Sequence, residues 1–444
     1  MVRKLGFSLV ALTLAGCAAS GPAASPPVSP SVPSGTSPAV ASSPVMVTPA
    51  ASPDPRRKPR CGGDGVPGDL DGDGYADLAF VWRGATGESL RRGQLVVVRG
   101  SPRGLDLSTA RLVGDGSMSG DAVPQLADLD GDGCADVVIR DASLSIFWGG
   151  RAPATVLASD GGTGVADLDG DDAVDLMAVD RGDGADGARL VLLHGPFTRS
   201  GRPARETSRP LPAGEWPGRL ITDPHGPGAV LYGPEDGEQA RAWLLAGGEL
   251  REVATGSSAV FGDFDGDGRR DVAIGDSGSR NDEPGHETEA PSVDGVTRVF
   301  YGRGGDPQVL TGLRGSLASG DLDGDGRDDL VSGEVAASAG ATGRAEILAG
   351  SARGLRRPGL VVTHRGPDRT PDGKRLKEWQ SGAVTTWSVA DHDGDGRAEL
   401  LRVWRGDLGF ARFWRVDAGG RTLQTFDLAG RGEERRDRAG GIRQ

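Results

Sequence analysis

Residues Gly68–Phe80 read GDLDGDGYADLAF: four carboxylates (Asp69, Asp71, Asp73 and Asp77) within nine residues, running straight into an apolar stretch. Like charges at that density repel one another and disfavour a compact chain. The string is not an accident of composition, because it returns. The nine-residue unit recurs at Asp128 (DLDGDGCAD), Asp167 (DLDGDDAVD), Asp263 (DFDGDGRRD), Asp321 (DLDGDGRDD) and Asp391 (DHDGDGRAE). The spacings run from 39 to 70 residues, apart from one of 96 between Asp167 and Asp263. Inside that long gap, LITDPHGPGAVLYG around Asp223 keeps the flanking pattern and has lost the carboxylates. It reads as a degenerate fourth unit of seven.

Each unit has the same surroundings. A short segment precedes the acids, and a β-rich run follows them at once: ADLAFVW, ADVVIR, VDLMAV, RDVAIG, DDLVSG, AELLRVW. A second run follows in all seven units, from GQLVVVRG to FARFWRV, and a weaker fourth closes several. Alternation and short apolar runs bounded by Gly argue for strands, with no sustained helical period. Four strands per repeat of this length predict a blade, and seven blades a closed ring that leaves only short strand edges. The expected fold is therefore all-β: a seven-bladed β-propeller of four-stranded antiparallel blades, with an acidic hairpin loop in each. A tandem sandwich would explain the strands but not one acidic loop per unit.

In DxDGDGxxD, side chains at positions 1, 3, 5 and 9 and the carbonyl at position 7 can converge on one point, with Gly at position 6 allowing the sharp turn. Oxygen-only ligands in such a loop suit Ca²⁺. The expected ligands are Asp69, Asp71, Asp73, Tyr75 and Asp77; Asp128, Asp130, Asp132, Cys134 and Asp136; Asp167, Asp169, Asp171, Ala173 and Asp175. The later units supply Asp263, Asp265, Asp267, Arg269 and Asp271; Asp321, Asp323, Asp325, Arg327 and Asp329; and Asp391, Asp393, Asp395, Arg397 and Glu399. An EF-hand would also need a Glu at position 12, where these units hold Phe80, Ile139, Ala178, Ile274, Ser332 and Arg402, and helices where they offer strands. Five or six Ca²⁺ ions are expected, and six would bring the formal charge of −13 to −1.

These units resemble FG-GAP repeats, also called VCBS repeats, the Ca²⁺-binding propeller repeats of integrin α-subunit heads and many bacterial surface proteins. Phe261-Gly262-Asp263 keeps the Phe-Gly of the name, and GSPRGL (Gly100–Leu105) and GSARGL (Gly350–Leu355) resemble a later element of the repeat. The likeness covers about residues 61–430 and departs at Asp172 (position 6), Glu399 (position 9) and the fourth unit. It implies a module that binds a protein or a surface glycan, not an enzyme. Some polysaccharide lyases resemble propellers with this repeat, which makes a lyase-like enzyme the runner-up. A lyase would need a cleft with a Lys, Arg, His or Tyr base.

The ends of the chain carry separate signals. Residues 1–17 have a cationic start, an apolar run and Leu14-Ala15-Gly16-Cys17, which resembles a bacterial lipobox with Cys17 as the lipidated residue. Residues 18–60 are Pro, Ser and Ala, expected to form a disordered stalk. Residues 431–444 are expected to be a disordered charged tail. The expected location is thus the extracytoplasmic face of the cell membrane, reached through the anchor on Cys17, with no nucleic-acid partner and a monomeric chain. Cys61 and Cys134 remain for a disulfide that an oxidising exterior would permit. GDSGS (Gly275–Ser279) resembles a protease nucleophile motif without a matching histidine partner. The RGD triplets at Arg181–Asp183 and Arg405–Asp407 fit chance in a chain rich in all three residues. Trp379, Trp387, Trp404 and Trp414 suggest inter-blade core before any sugar platform.

Overall fold

The computed structural model describes residues 45–49 (backbone), 66–83, 92–119, 122–141, 143–157, 162–180, 187–212, 219–232, 239–278, 280, 291–334, 336–337, 340–377, 382–406 and 410–430. The expected leader with Cys17, most of the expected stalk, Cys61, Trp379, the first RGD triplet, Asp407 and the tail 431–444 lie outside these residues.

The chain is a seven-bladed β-propeller. Blade 2 runs Gln125–Ala127, Asp136–Arg140, Leu144–Phe147 and Thr155–Leu157, each strand antiparallel to the next. Blade 3 (Thr163–Ala166, Asp175–Asp180, Arg189–His194, Arg205–Pro210) and blade 4 (Leu220–Thr222, Ala229–Tyr232, Ala240–Ala246, Glu249–Gly256) repeat the order. So do blade 5 (Ser258–Gly262, Asp271–Gly275, Val296–Phe300, Gln308–Thr311) and blade 6 (Ser316–Gly320, Asp329–Gly333, Thr342–Leu348, Leu360–Arg365). Blade 7 is Gly382–Ala390, Glu399–Gly406, Phe410–Val416 and Thr422–Gly430. Blade 1 contributes Leu78–Arg83, Arg92–Arg99 and Asp106–Ser119, while Gly68 accepts a hydrogen bond from Asp77 N on its inner side.

Seven apolar clusters hold the ring, one between each pair of neighbouring blades. Blades 7 and 1 share Phe80, Val96, Phe413 and Phe426, so the last interface is closed by the same means as the others. The remaining six join blades 6–7, 1–2, 2–3, 4–5, 5–6 and 3–4. The runs after each acidic loop are buried on both faces, which is why they read as continuous Val, Leu and Ile and not as clean alternation. Trp404 is fully buried and Trp414 nearly so, both in the cluster between blades 6 and 7, as the core reading expected.

One finding differs from the stalk expectation. Val45–Pro49 (VMVTP) forms a strand, parallel both to the outer strand of blade 7 (Val45 opposite Leu428) and to that of blade 1 (Thr48 opposite Arg111). It is the stretch of residues 18–60 with clustered β-branched side chains, and strand propensity follows those. No helix among the described residues is long and apolar enough to cross a membrane.

Candidate metal centre

The acidic units lie in the turns between first and second strands. In blades 2, 3, 5, 6 and 7 the residue before position 1 pairs with position 9, as Ala127 with Asp136 and Ala390 with Glu399, so eight residues bridge the two strands. Three carboxylate positions have separate work. The position 1 carboxylate folds the loop onto itself. Asp69 Oδ1 accepts from Asp71, Gly72 and Asp73 N–H, and Oδ2 from Gly74 N–H at 2.7 Å. Asp128, Asp167, Asp263, Asp321 and Asp391 repeat that pattern on positions 4 and 6. Position 5 accepts the position 7 N–H, as in Asp73 with Tyr75 and Asp132 with Cys134, and Ala173, Arg269, Arg327 and Arg397 donate likewise.

Position 9 is a brace. Asp136 accepts Leu129 N–H (3.0 Å) on one oxygen and Gly149 N–H (2.7 Å), just past the third strand, on the other. Asp77, Asp175, Asp271 and Asp329 do the same with Gly100, Gly195, Gly302 and Gly350. In blade 7 the longer Glu399 keeps the first bond, to His392 N–H, and gives its other oxygen to Arg415 at 3.0 Å. The Asp-to-Glu departure is thus matched by a guanidinium where other blades offer an amide.

Position 3 is left largely to ions. Asp71, Asp130, Asp169, Asp265 and Asp393 each meet a guanidinium: Arg99, Arg199 (2.6 Å), Arg205 (2.9 Å), Arg303 and Arg415 (2.7 Å) respectively. In Asp71, Asp130 and Asp393 the other oxygen, Oδ1, is buried and accepts no hydrogen bond. A buried acceptor without a partner costs about 1–3 kcal/mol, more when charged. Oxygens of Asp69, Asp71 and Asp77 lie within 4.8 Å of one another, as do those of Asp128, Asp130 and Asp136, of Asp167, Asp169 and Asp171, and of Asp391, Asp393, Asp395 and Glu399. Burial, reinforced by the neighbouring carboxylates, pushes Asp77 and Asp136 up to about 7, Asp271 and Asp329 to about 6 and Glu399 to about 7. Hard oxygen donors, bare buried oxygens and suppressed ionisation together fit a divalent cation.

The loops also hold one another. The position 8 N–H of one loop donates to the position 1 carbonyl of the preceding blade's loop: Ala135 to Asp69, Asp328 to Asp263, Ala398 to Asp321 and, across the closure, Ala76 to Asp391. The position 7 side chain lies over the preceding loop's position 4 glycine. A Cβ on Gly394, Gly266 or Gly324 would fall within about 3 Å of Tyr75, Arg327 or Arg397. That glycine therefore serves blade contact as well as turn geometry. At position 6 of blade 3, Asp172 adopts φ +67° and keeps the turn a glycine makes elsewhere.

Blade 4 carries its own cation. Its loop, Asp223–Gly228, has six residues instead of eight, and Ala229 stands at position 9. Fully buried Asp223, at position 1, takes a bidentate pair from Arg270 of the blade 5 loop (2.8 and 2.9 Å), which also reaches Asp328 at 3.3 Å. Sequence reasoning missed Arg270 and the position 3 arginines. They come from different places along the chain, and no common spacing marks them.

Other singled-out residues have structural partners. His392 is buried with Nδ1 against Ala76 O at 2.8 Å, away from the loop. His364 stacks on Trp414 and meets Thr422. Ser277 of GDSGS bonds Ser257. Cys134 is disulfide-bonded. Inside the ring of loops a cavity of about 490 Å³ opens among the innermost strands, lined by residues that include Leu126, Pro224, His225, Phe261, Ser319 and Trp387.

Fold and loops together define a propeller with an acidic-loop face. No family model matches the sequence, and no curated protein matches it. Among solved structures it is similar to a quinonprotein alcohol dehydrogenase-like protein from Bacteroides thetaiotaomicron, 10% identical, covering 80% of this chain at a TM-score of 0.30. The match takes in 66% of that chain, so this protein spans about two-thirds of its neighbour's length.

Proposed function

We propose that this chain is a Ca²⁺-dependent binding module of the FG-GAP type, held at the extracytoplasmic face of the membrane through Cys17 and presenting its loop face to a protein or surface glycan. The supporting observation is the cavity among the loops. Its wall mixes apolar surface (Leu126, Phe261, Trp387) with polar groups (His225, Ser319), the character of a small-ligand or side-chain site. Five or six ions would fix the rim by drawing each loop's carboxylates together, three of them on the bare position 3 oxygens of Asp71, Asp130 and Asp393, while the hydrogen bonds between loops pass that rigidity around the mouth. A rim ordered in advance loses less entropy when a partner docks.

A glycan array probed with the full chain, in Ca²⁺ and in chelator, tests the reading. Retention that needs Ca²⁺ and leaves the glycan intact supports it. New unsaturated sugar ends would replace it with a lyase. Acyl labelling of the expressed chain that survives Cys17→Ala would remove the anchor.

A further inference from the structure

We propose that the blade 3 loop holds a transition-metal ion of the zinc or cobalt class through His194, Asp169 and Asp175, a chemistry distinct from its oxygen-only neighbours. His194 ends the third strand of its blade, one residue past the Leu176–Leu193 pair. The same register puts Arg99, Trp148, Tyr301, Ala349 and Asp417 there in blades 1, 2, 5, 6 and 7. Blade 3 alone among these sets an imidazole against its acidic loop.

The imidazole is placed as a ligand. Its side chain is 7% exposed, Nε2 is 2.9 Å from Thr207 Oγ1, and Nδ1 lies 2.9 Å from Asp169 Oδ2 and 3.5 Å from Asp175 Oδ1. Neither Nδ1 contact has hydrogen-bond alignment, so Nδ1 is buried without a hydrogen-bond partner. In the tautomer that donates Nε2–H to Thr207, Nδ1 turns its lone pair toward two carboxylates. Donors held about 2.0–2.2 Å from one ion stand about 3 Å apart at a right angle and about 3.4 Å apart at the tetrahedral angle. The observed 2.9 and 3.5 Å match those separations.

Fixed second partners hold the carboxylates. Asp175 accepts Gly195 and Leu168 N–H, and Asp169 Oδ2 accepts Arg205. Such outer bonds orient metal ligands. A nitrogen donor disfavours Ca²⁺ and favours zinc-like ions. The ion would replace Ca²⁺ in this loop, since Asp169 and Asp175 belong to both ligand sets, while the calcium reading of the other five loops does not depend on it.

The test uses the full chain stripped of metal and titrated with Co²⁺ in millimolar Ca²⁺, followed by visible d–d absorption. The expected result is one Co²⁺ equivalent that Ca²⁺ does not displace, that Zn²⁺ does displace, and that binds about a hundredfold more weakly in His194→Ala. The calcium-dependent melting shift should survive in that variant. A Co²⁺ spectrum indifferent to His194→Ala, or abolished by Ca²⁺, overturns the proposal. Should the variant not fold, X-ray absorption of the Zn²⁺-loaded wild-type chain decides: absence of imidazole scattering overturns it equally.

Discussion

Removing Ca²⁺ should lower the melting temperature by about ten degrees. The size follows from the loops. At a dissociation constant of about 10⁻⁴ M and about 1 mM Ca²⁺, each occupied site adds about 1.4 kcal/mol. Five or six such sites add about 7–8 kcal/mol, comparable to the whole stability of an ordinary domain. Unfolding entropy of about 2.1 cal/mol/K per residue, taken over a propeller of about 370 residues, converts that into about ten degrees. The structural reason for so large a term is that bare Oδ1 atoms at Asp71, Asp130 and Asp393 carry a desolvation cost without a partner. Differential scanning calorimetry of the full chain, metal-stripped and Ca²⁺-loaded, measures it. Superimposable melting curves at pH 8 would refute the assignment of these loops as cation sites.

The same carboxylates set a pH dependence in the metal-free protein. Asp77, Asp136 and Glu399 are raised to about 7 and Asp271 and Asp329 to about 6, so the stability they contribute is full below about pH 4 and falls as pH rises through 6–7. Metal-stripped protein should therefore melt lower at pH 8 than at pH 5, with Ca²⁺ narrowing the gap; calorimetry across that range checks the sign. Arg270→Met leaves buried Asp223 unpaired and should cost about 3–5 kcal/mol in urea unfolding, with Ca²⁺ stoichiometry unchanged. Asp172→Gly relieves the φ of +67° and one like charge, and should raise stability by about 1 kcal/mol. A melting temperature that falls instead would mean the Asp172 side chain holds something in place.

Blades and loops were legible in the sequence for different physical reasons. A strand buried on both faces must be a short apolar run, and ADVVIR or RDVAIG has few alternatives once a turn stands on each side. The loop is legible because its acids answer to local backbone: Asp69 reaches the amides of Asp71–Gly74 within its own turn, so the spacing is the structure. What stayed hidden acts across blades. Arg199 belongs to blade 3 and pairs in blade 2, 69 residues from Asp130, and Arg270 leaves blade 5 for Asp223 in blade 4. A guanidinium on a long flexible stem leaves no periodic trace. His194 had a weak trace, an imidazole at a strand end 19 residues past Asp175, which becomes meaningful only once the hairpin register is known.

The degenerate blade then finds a place in one electrostatic scheme. Every loop must satisfy a position 1 carboxylate that is buried in blades 1 and 4 and partly buried in the others. Full-length loops do so with their own amides, and those of blades 1, 2 and 7 leave a position 3 oxygen bare to attract a mobile ion. The blade 4 loop, two residues shorter and with Ala229 in place of the position 9 carboxylate, lacks the ligands to wrap an ion, and Arg270 supplies a tethered cation instead. A tethered charge cannot be chelated. Blade 4 is therefore the one acidic turn whose neutralisation does not depend on the ionic medium, and Arg270 ties it both to Asp223 and to Asp328, two blades further on. On this scheme, chelation loosens the loop ring on either side of blades 4 and 5 before it loosens them. Amide exchange in chelator should thus rise first at Gly72, Gly74, Gly131 and Gly133, whose N–H groups bond Asp69 and Asp128, and last at His225, whose N–H bonds Asp223. Uniform exchange around all seven turns would contradict it.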